Sequence, residues 1–131
     1  MRITHDASTL AKAGPYSHAA EIDGNVHLSG QTPFDPMTGS LLVGDVEAQT
    51  GQCLDNLWAV LAAADLDERD VLKVNVYLTD MADFAAMNRV YATRWSEPFP
   101  ARTTIAVTGL PLGARVEIDA VARRSPTKHR S

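Results

Sequence analysis

The stretch 71–78 constrains the fold most, because its apolar and polar residues alternate. The even-numbered positions from Leu72 to Leu78 are apolar, whereas Lys73, Asn75 and Tyr77 occupy the positions between them. A period of two residues places successive side chains on opposite sides of an extended chain. The stretch therefore predicts a β-strand with one apolar face, and a second layer of structure must cover that face.

Two amphipathic stretches, one on either side of this strand, can supply the covering layer. Apolar residues recur at helical spacing from Val46 to Leu66, directly after Asp45, a residue type that favours the N-cap of a helix. A second helical pattern runs from about Ala82 to Trp95. These patterns predict two helices, each with one buried stripe.

The rest of the chain contains five short extended runs, separated by turn residues. Gln31 to Gly44 carries too many turn residues for a regular element and is interpreted as a loop. The order β-β-β-α-β-α-β-β predicts a single α+β domain over residues 1–124, with two helices on one face of one sheet. We expect residues 125–131 to be a disordered tail. The five runs lie around Ile3, at 19–22, at 26–30, from Arg102 onward and at 115–123.

The charge and the cysteine content exclude several classes of protein. The net charge is −4, and no basic stripe with interleaved aromatic residues is present, which argues against nucleic-acid binding. No apolar run has the length of a membrane span, and the first residues lack the apolar core of a signal peptide. Cys53 is the only cysteine, so we expect a reducing, cytoplasmic location.

No motif in the sequence requires a metal ion or an organic cofactor, and we expect none. His5, His18, His27 and His129 lack metal-ligand spacing and are interpreted as structural or solvated residues. Cys53 falls on the apolar stripe of the first helix, where a buried, inert thiol is expected. Phosphate-binding loops and nucleophile elbows are absent.

Arg102 follows a stiff lead-in, Phe99-Pro100-Ala101, and enters the β-branched run of a predicted strand. Proline fixes its own φ and biases the preceding residue toward extended geometry. An arginine held there among small neutral residues is a candidate clamp for a carboxylate, which it can bind through two parallel hydrogen bonds. The alternative is an ordinary solvated arginine at a strand end.

Strand alternation predicts which side chains share a face with this arginine. If Ile105 faces the helices, Arg102 and Thr104 face the opposite side, together with Glu117 and Asp119 of the last strand. Such a mixed polar face suits either an oligomer interface lined with polar sites or a sheet face open to water. Its arginine, hydroxyl and carboxylates could bind an anion and activate water.

Seven stretches, in this order and with this spacing, resemble the Rid (reactive intermediate deaminase) family, also known as the YjgF family. The resemblance covers almost the whole chain, and the combination of stretches is specific. The stretches are Gly14-Pro15-Tyr16-Ser17, Leu28-Ser29-Gly30-Gln31-Thr32-Pro33, Gln52-Cys53-Leu54-Asp55-Asn56-Leu57, Val74-Asn75-Val76-Tyr77-Leu78, Asp83-Phe84 with Asn88 and Tyr91, Phe99-Pro100-Ala101-Arg102-Thr103, and Val116-Glu117-Ile118-Asp119-Ala120.

The resemblance implies a chorismate-mutase-like α+β fold, with one mixed six-stranded sheet and two helices on one face. It also implies a homotrimer with sites between neighbouring subunits. Within one subunit, it places the strand 71–78 between the Arg102 strand and the last strand. Active family members hydrolyse 2-imino acids such as 2-iminopropanoate and 2-iminobutanoate, and their enamine tautomers, to 2-keto acids and ammonia.

The resemblance further implies roles for individual residues. Arg102 would grip the carboxylate of the substrate. Four other residues would line the pocket, namely Tyr16, Ser29, Gly30 and Asn88.

Two positions near the catalytic water differ from the family pattern. Asp119 is matched to an acidic residue that is typically glutamate, and its side chain is one methylene shorter. Thr104 stands where cysteine is frequent, at a position whose backbone carbonyl helps to hold the water. Glu117 shares the face of Asp119 and is kept as a further candidate.

Two other functions remain open on the sequence alone. The chain could be a Rid-family enzyme that acts on another small imine, enamine or amide in a catabolic pathway. It could also be a non-catalytic trimer that binds small carboxylates. The acidic net charge and the lack of paired catalytic histidines do not favour ribonuclease activity. We expect neither nucleic acid nor membrane as a partner.

Overall fold

The structure is a computed structural model that describes residues 1–126. Residues 127–131, which include His129 and most of the predicted tail, lie outside the described residues. The strands are β1 (Ile3–His5), β2 (Ala19–Ile22), β3 (Asn25–Gln31), β4 (Phe34–Asp35), β5 (Ser40–Leu41), β6 (Val71–Leu78), β7 (Ala101–Ala106) and β8 (Val116–Arg123), and the α-helices are α1 (Val46–Ala63) and α2 (Phe84–Tyr91).

Six strands form one mixed sheet in the order β1-β2-β3-β8-β6-β7. Neighbouring strands are antiparallel, except that β6 and β7 are parallel. β6 therefore separates β7 from β8, as the resemblance implies. α1 packs on β3 and β8 and also contacts α2. This architecture confirms the predicted α+β fold with a six-stranded sheet and two helices.

α1 begins at the predicted position. The side chain of Asp45 accepts a hydrogen bond from the backbone N–H of Ala48 at 2.8 Å, and this bond satisfies one of the amides that a helix start leaves free. The buried stripe of α1 contains Cys53, whose Sγ donates to the carbonyl oxygen of Val116 at 3.6 Å. Burial raises the pKa of this thiol well above its usual value, so the structure agrees with an inert, structural cysteine.

The inner face of the sheet is apolar along both central strands, in agreement with the alternation in the sequence. Leu72 is an exception, because a register shift between Val71 and Lys73 leaves its side chain 58% exposed. Val71 takes the buried position instead. The other inner residues are Val74, Val76 and Leu78 of β6 and Val116, Ile118, Ala120 and Ala122 of β8.

Two elements differ from the sequence-based expectation. The second helix is shorter than the predicted 82–95, because the chain forms a 3₁₀ turn at Met81–Asp83 before α2 begins and leaves the helix after Tyr91. The predicted loop 31–44 contains the two-stranded ribbon β4–β5. Asp35 closes its turn by accepting backbone hydrogen bonds from Met37, at 2.9 Å, and from Gly39.

The positions of Arg102 and Thr104 correct the predicted strand faces. In the parallel pairing of β6 with β7, Arg102 lies beside Val74 and Thr104 lies beside Val76. Both valines are fully buried on the side of the helices. Because paired residues on adjacent strands point to the same side of a sheet, Arg102 and Thr104 face the helices.

The residues that alternate with these on β6 and β7 point to the opposite side of the sheet. No helix covers that side within the described residues, and we call it the open face. Thr103 accepts a hydrogen bond there from Lys73 at 2.8 Å, and Ile105 is 46% exposed. Glu117 and Asp119 lie on this open face, as expected, but on the side opposite Arg102. The prediction was wrong because β7 is an edge strand, whose β-branched residues are not required in the core of one subunit.

Among the described residues, no helix combines the length and the apolar character that crossing a lipid bilayer requires.

Candidate active site

The first part of the candidate site lies at an irregularity of β3. The pairing of β3 with β8 shifts register between Leu28 and Gln31, and Ser29 and Gly30 lie within this shift. Irregularities of this kind re-aim side chains and are frequent beside active sites. The hydroxyl of Ser29 donates to the backbone carbonyl of Ser17 at 2.7 Å, so the loop before β2 is tied to β3.

Gly30 allows the carboxylate of Glu117 to lie directly against the backbone of β3. A Cβ atom at Gly30 would overlap Oε2 of Glu117, so any other residue would displace the carboxylate. Both residues line a cleft of about 450 Å³, together with Tyr16, Ser29 and Pro111. This volume suits a small-molecule ligand.

The environment of Glu117 favours its protonated form. Its side chain is partly buried, and burial is the main reason why its pKa lies above the ordinary value of a glutamate. The negative charge of Asp119, two residues along the same strand face, raises the pKa further. A carboxyl group with a raised pKa can exchange protons nearer to neutral pH, as general acid–base catalysis requires.

Asp119 itself is held by two neighbours on β6. Its Oδ1 accepts a hydrogen bond from the side-chain amide of Asn75, and its Oδ2 accepts one from the hydroxyl of Tyr77, both at 2.8 Å. Burial, and then this bond to Asp119, raise the pKa of Tyr77 to about 12. Asp119 does not line the Glu117 cleft. Its geometry is that of a fixed charge beside Glu117.

A second cleft, of about 440 Å³, contains Arg102. It is lined by Arg102 with Asn88, Tyr91, Phe99 and the neighbouring Ala92 and Pro100. The stiff lead-in before β7 thus forms part of the wall, and α2 forms the rest. Of the four pocket residues that the resemblance implies beside Arg102, only Asn88 lines this cleft with it.

The guanidinium of Arg102 is held by aromatic rings. Its Cζ atom lies 4.7 Å from the ring centroid of Tyr91 and 5.6 Å from that of Phe84. Within residues 1–126, the guanidinium of Arg102 makes no hydrogen bond or ion pair. Its donors are therefore available to an anion.

Several buried polar atoms lie on the residues around Arg102. The Asn88 Oδ1, the Tyr91 hydroxyl and the Thr104 hydroxyl have no hydrogen-bond partner within the described part of the chain. Native proteins rarely leave such groups unpaired, and the hydrogen bonding of this polar cluster is incomplete within residues 1–126. Thr104 lines neither cleft.

One protomer does not bring all the predicted site residues into a single pocket. Tyr16, Ser29 and Gly30 line the Glu117 cleft, and that cleft shares no lining residue with the Arg102 cleft. Arg102 faces the helices, whereas Glu117 lies on the open face of the sheet. The two clefts differ in chemistry, because one contains the unpaired guanidinium of Arg102 and the other contains the Glu117 carboxyl group with its raised pKa.

A family model described as Endoribonuclease L-PSP matches residues 6–124, which is nearly the whole chain. The chain belongs to this family, the YjgF/Rid family. The YjgF gene product of E. coli, a Rid-family protein of known structure, superposes with a TM-score of 0.88 at 36% identity, covering 94% of this chain and 99% of that one. The Rid-family fold is thus shown by sequence and structure together.

The curated relatives of this Rid-family chain carry different names. A RutC family protein of Pyrococcus horikoshii is 47% identical over 109 residues, which are 83% of this chain and 86% of that protein. The 2-iminobutanoate/2-iminopropanoate deaminase of Mus musculus is 42% identical over 116 residues, covering 88% of this chain and 86% of that enzyme. These names support a Rid-family enzyme.

Sequence reasoning missed two features of this Rid-family site. It ranked Asp119 above Glu117, although Gly30, the residue that makes room for the Glu117 carboxylate, was already among the pocket candidates. It also did not place Arg102 against Phe84 and Tyr91, which lie within the second predicted helix, because the parallel register of β7 is not visible in the sequence. Among residues 1–126, no cluster of histidine, cysteine, aspartate or glutamate is arranged to hold a metal ion.

Proposed function

We propose that this chain hydrolyses 2-imino acids, such as 2-iminopropanoate and 2-iminobutanoate, to 2-keto acids and ammonia. The observation that carries the proposal is the Arg102 cleft, where a guanidinium without an ion pair in the described chain offers its donors to a carboxylate. The relatives named as deaminases support the same class of substrate. The single cysteine fits a reducing compartment, and we propose a cytoplasmic location.

The active form in this proposal is a homotrimer with its sites between neighbouring subunits. Each site would combine the Arg102 cleft of one subunit with the Glu117 cleft of the next. Two observations support this arrangement: the separation of the clefts and the exposed Ile105 on the open sheet face.

To catalyse this reaction, the protein has mainly to orient the substrate and to transfer protons. The protonated imine carbon is already electrophilic, and Arg102 would fix the substrate through its carboxylate. The Glu117 carboxylate would accept a proton from water as the oxygen bonds to that carbon and the C=N electron pair moves to nitrogen. The protonated Glu117 would then return the proton to nitrogen. The C–N bond breaks as the C=O bond forms, and the hydroxyl proton leaves with the ammonia as ammonium.

We assign the acid–base role to Glu117 and a supporting role to Asp119, the residue that the resemblance suggested. Both oxygens of Asp119 already accept hydrogen bonds, from Asn75 and Tyr77. Glu117 lines the cleft and has the raised pKa. Thr104 faces the helices with a buried hydroxyl, so its side chain is assigned no step.

The decisive experiment follows 2-iminopropanoate and 2-iminobutanoate, generated in situ by an amino-acid oxidase, with and without the purified protein. We expect faster imine loss and stoichiometric ammonia release. Arg102→Ala should abolish the acceleration, and Arg102→Lys should restore little of it, because lysine lacks the planar, two-donor fork. The proposal fails if the wild-type protein leaves imine decay at its spontaneous rate. Activity on other small imines, enamines or amides would instead support the broader Rid-family alternative, and keto-acid binding without turnover would support a carboxylate binder.

A further inference from the structure

The chain holds Arg102 differently from its structural arginines. Four other arginines form ion pairs with carboxylates, whereas Arg102 contacts the faces of two rings and no carboxylate within residues 1–126. The pairs are Arg89 Nη2 with Glu47 at 3.0 Å, Arg94 Nη1 with Asp55 at 2.7 Å, Arg115 Nη2 with Asp83 at 2.8 Å and Arg124 Nε with Glu21 at 2.9 Å.

Both rings come from α2 and are fixed by the helix. Phe84 is its first residue and Tyr91 its last. Seven residues are close to two helical turns, so both side chains lie on one side of α2. A guanidinium that stacks on aromatic rings uses its flat face, and its N–H donors remain in the plane. The rings can therefore position Arg102 without occupying the donors that an anion needs.

Tyr91 is itself held in place by further rings. Its ring centroid lies 5.4 Å from that of Trp95, which in turn lies 4.9 Å from that of Trp58. Tyr91 is only 5% exposed. The row Trp58–Trp95–Tyr91 thus connects α1 to the guanidinium and gives the clamp a rigid support.

The Tyr91 hydroxyl contributes no hydrogen bond within the described chain. Burial raises the pKa of Tyr91 to about 12, although the nearby charge of Arg102 acts to lower it. Tyr91 is therefore neutral at physiological pH and does not neutralise Arg102. The interaction of Tyr91 with Arg102 is therefore the contact of its aromatic ring with the guanidinium.

We propose that Tyr91, together with Phe84, is a positioning residue that fixes the plane of the Arg102 guanidinium, so that its free edge meets the substrate carboxylate with two hydrogen bonds. The inference about catalysis rests on the proposed deaminase function. The inference about carboxylate binding does not, because it concerns the clamp alone.

The test compares Tyr91→Phe, which keeps the ring, with Tyr91→Leu, which removes it. We measure binding of 2-oxobutanoate by calorimetry, and KM and kcat for imine hydrolysis. Tyr91→Phe should stay within about twofold of the wild type. Tyr91→Leu should weaken 2-oxobutanoate binding and raise KM by about tenfold, as expected for a lost cation–π contact in a partly desolvated site. The effect on kcat should be smaller.

Two controls separate positioning from a general loss of packing. Val60→Ala shortens a fully buried side chain of α1 outside this row of rings, and it should lower stability while leaving KM unchanged. In an Arg102→Ala background, Tyr91→Leu should cause no further loss of 2-oxobutanoate binding, because its effect passes through the arginine. If Tyr91→Leu does not fold, Phe84→Leu, at a less buried position, tests the second ring contact of Arg102 in the same way.

The inference is overturned if Tyr91→Leu binds 2-oxobutanoate as well as the wild type does. It is also overturned if Tyr91→Phe is as impaired as Tyr91→Leu, since the hydroxyl would then carry the effect. A wild-type protein that binds 2-oxobutanoate but hydrolyses no imine would contradict the proposed function alone. In that case the binding measurements on the two Tyr91 variants still decide the inference.

Discussion

Glu117, the proposed acid–base residue, lowers the stability of the fold at neutral pH. Its carboxyl group is partly buried beside Asp119, so the folded protein binds its proton more tightly than the unfolded chain does. A group with a raised folded-state pKa contributes its full stability below its unfolded pKa, about 4.3 for glutamate. That contribution is lost as the pH rises through the folded-state value.

Replacing Glu117 with Gln should therefore separate activity from stability. We expect imine hydrolysis to fall by about 100- to 10,000-fold, as for the loss of a general acid–base group. The variant should nevertheless unfold at higher urea than the wild type at pH 8, and the gap should narrow at pH 5. Urea unfolding at the two pH values checks the sign, with the exposed Glu97→Gln as the control. A gap that widens toward low pH would contradict the assigned environment of Glu117.

At the scale of single elements, α1 depends on its first cap as well as on its apolar stripe. Asp45 satisfies an amide that would otherwise be free, and Gln49, one turn along, donates to the carbonyl of Leu42 and accepts from the backbone N–H of Arg115. The start of α1 thus fixes the ribbon segment and the entry to β8, the strand that carries Glu117.

Asp45→Ala should lower the free energy of unfolding by about 1 kcal/mol, the usual cost of losing an N-cap side chain. Asp45→Ser keeps a hydrogen-bond acceptor and should recover most of this loss. Chemical denaturation of the three proteins measures the difference. Equal stabilities of the alanine and serine variants would show that the cap bond contributes nothing.

The orientation of the side chains of β7 depends on its pairing with β6. Its residues alternate as a strand should, but its parallel pairing with β6 decides which of them face α2. Arg102 is brought against Phe84 and Tyr91 by that register and not by its own sequence context. The clamp is therefore a property of the β6–β7–α2 unit.

At the scale of the whole molecule, the proposed site needs two copies of the chain. An assembly of Arg102→Ala and Glu117→Gln subunits tests this, because each inactive variant keeps the half that the other lacks. After co-refolding at equal amounts, random trimers should recover about a quarter of the wild-type activity. An interface is intact only where a subunit with Arg102 precedes a subunit with Glu117 in the closed ring, which is one in four of the possible neighbour pairs.

Light scattering on the same samples should give the mass of a trimer. Mixing the two folded variants without unfolding them is the matched control, and it should recover little if the subunits exchange slowly. Activity equal to the mean of the two variants after co-refolding would show that Arg102 and Glu117 act within one subunit or do not act together.

The sequence by itself determined the layers of this protein. The alternation in 71–78, the helical spacing from Val46 and the cap at Asp45 gave the sheet, the first helix and its start, because these depend on local periodicity and local hydrogen bonds. The family resemblance pointed to Arg102 and the pocket residues, and it placed β6 between the strand of Arg102 and the last strand.

Only the tertiary structure decided how those residues are shared between the two faces of the sheet. Strand register is set by pairing with distant segments, and a shift of one residue reverses every side chain. Arg102 therefore faces the rings of α2, and Leu72 leaves the core. Glu117, rather than Asp119, occupies a cleft because Gly30, far away in the chain, leaves room for its carboxylate. Such contacts between remote residues leave no periodic signal in the sequence.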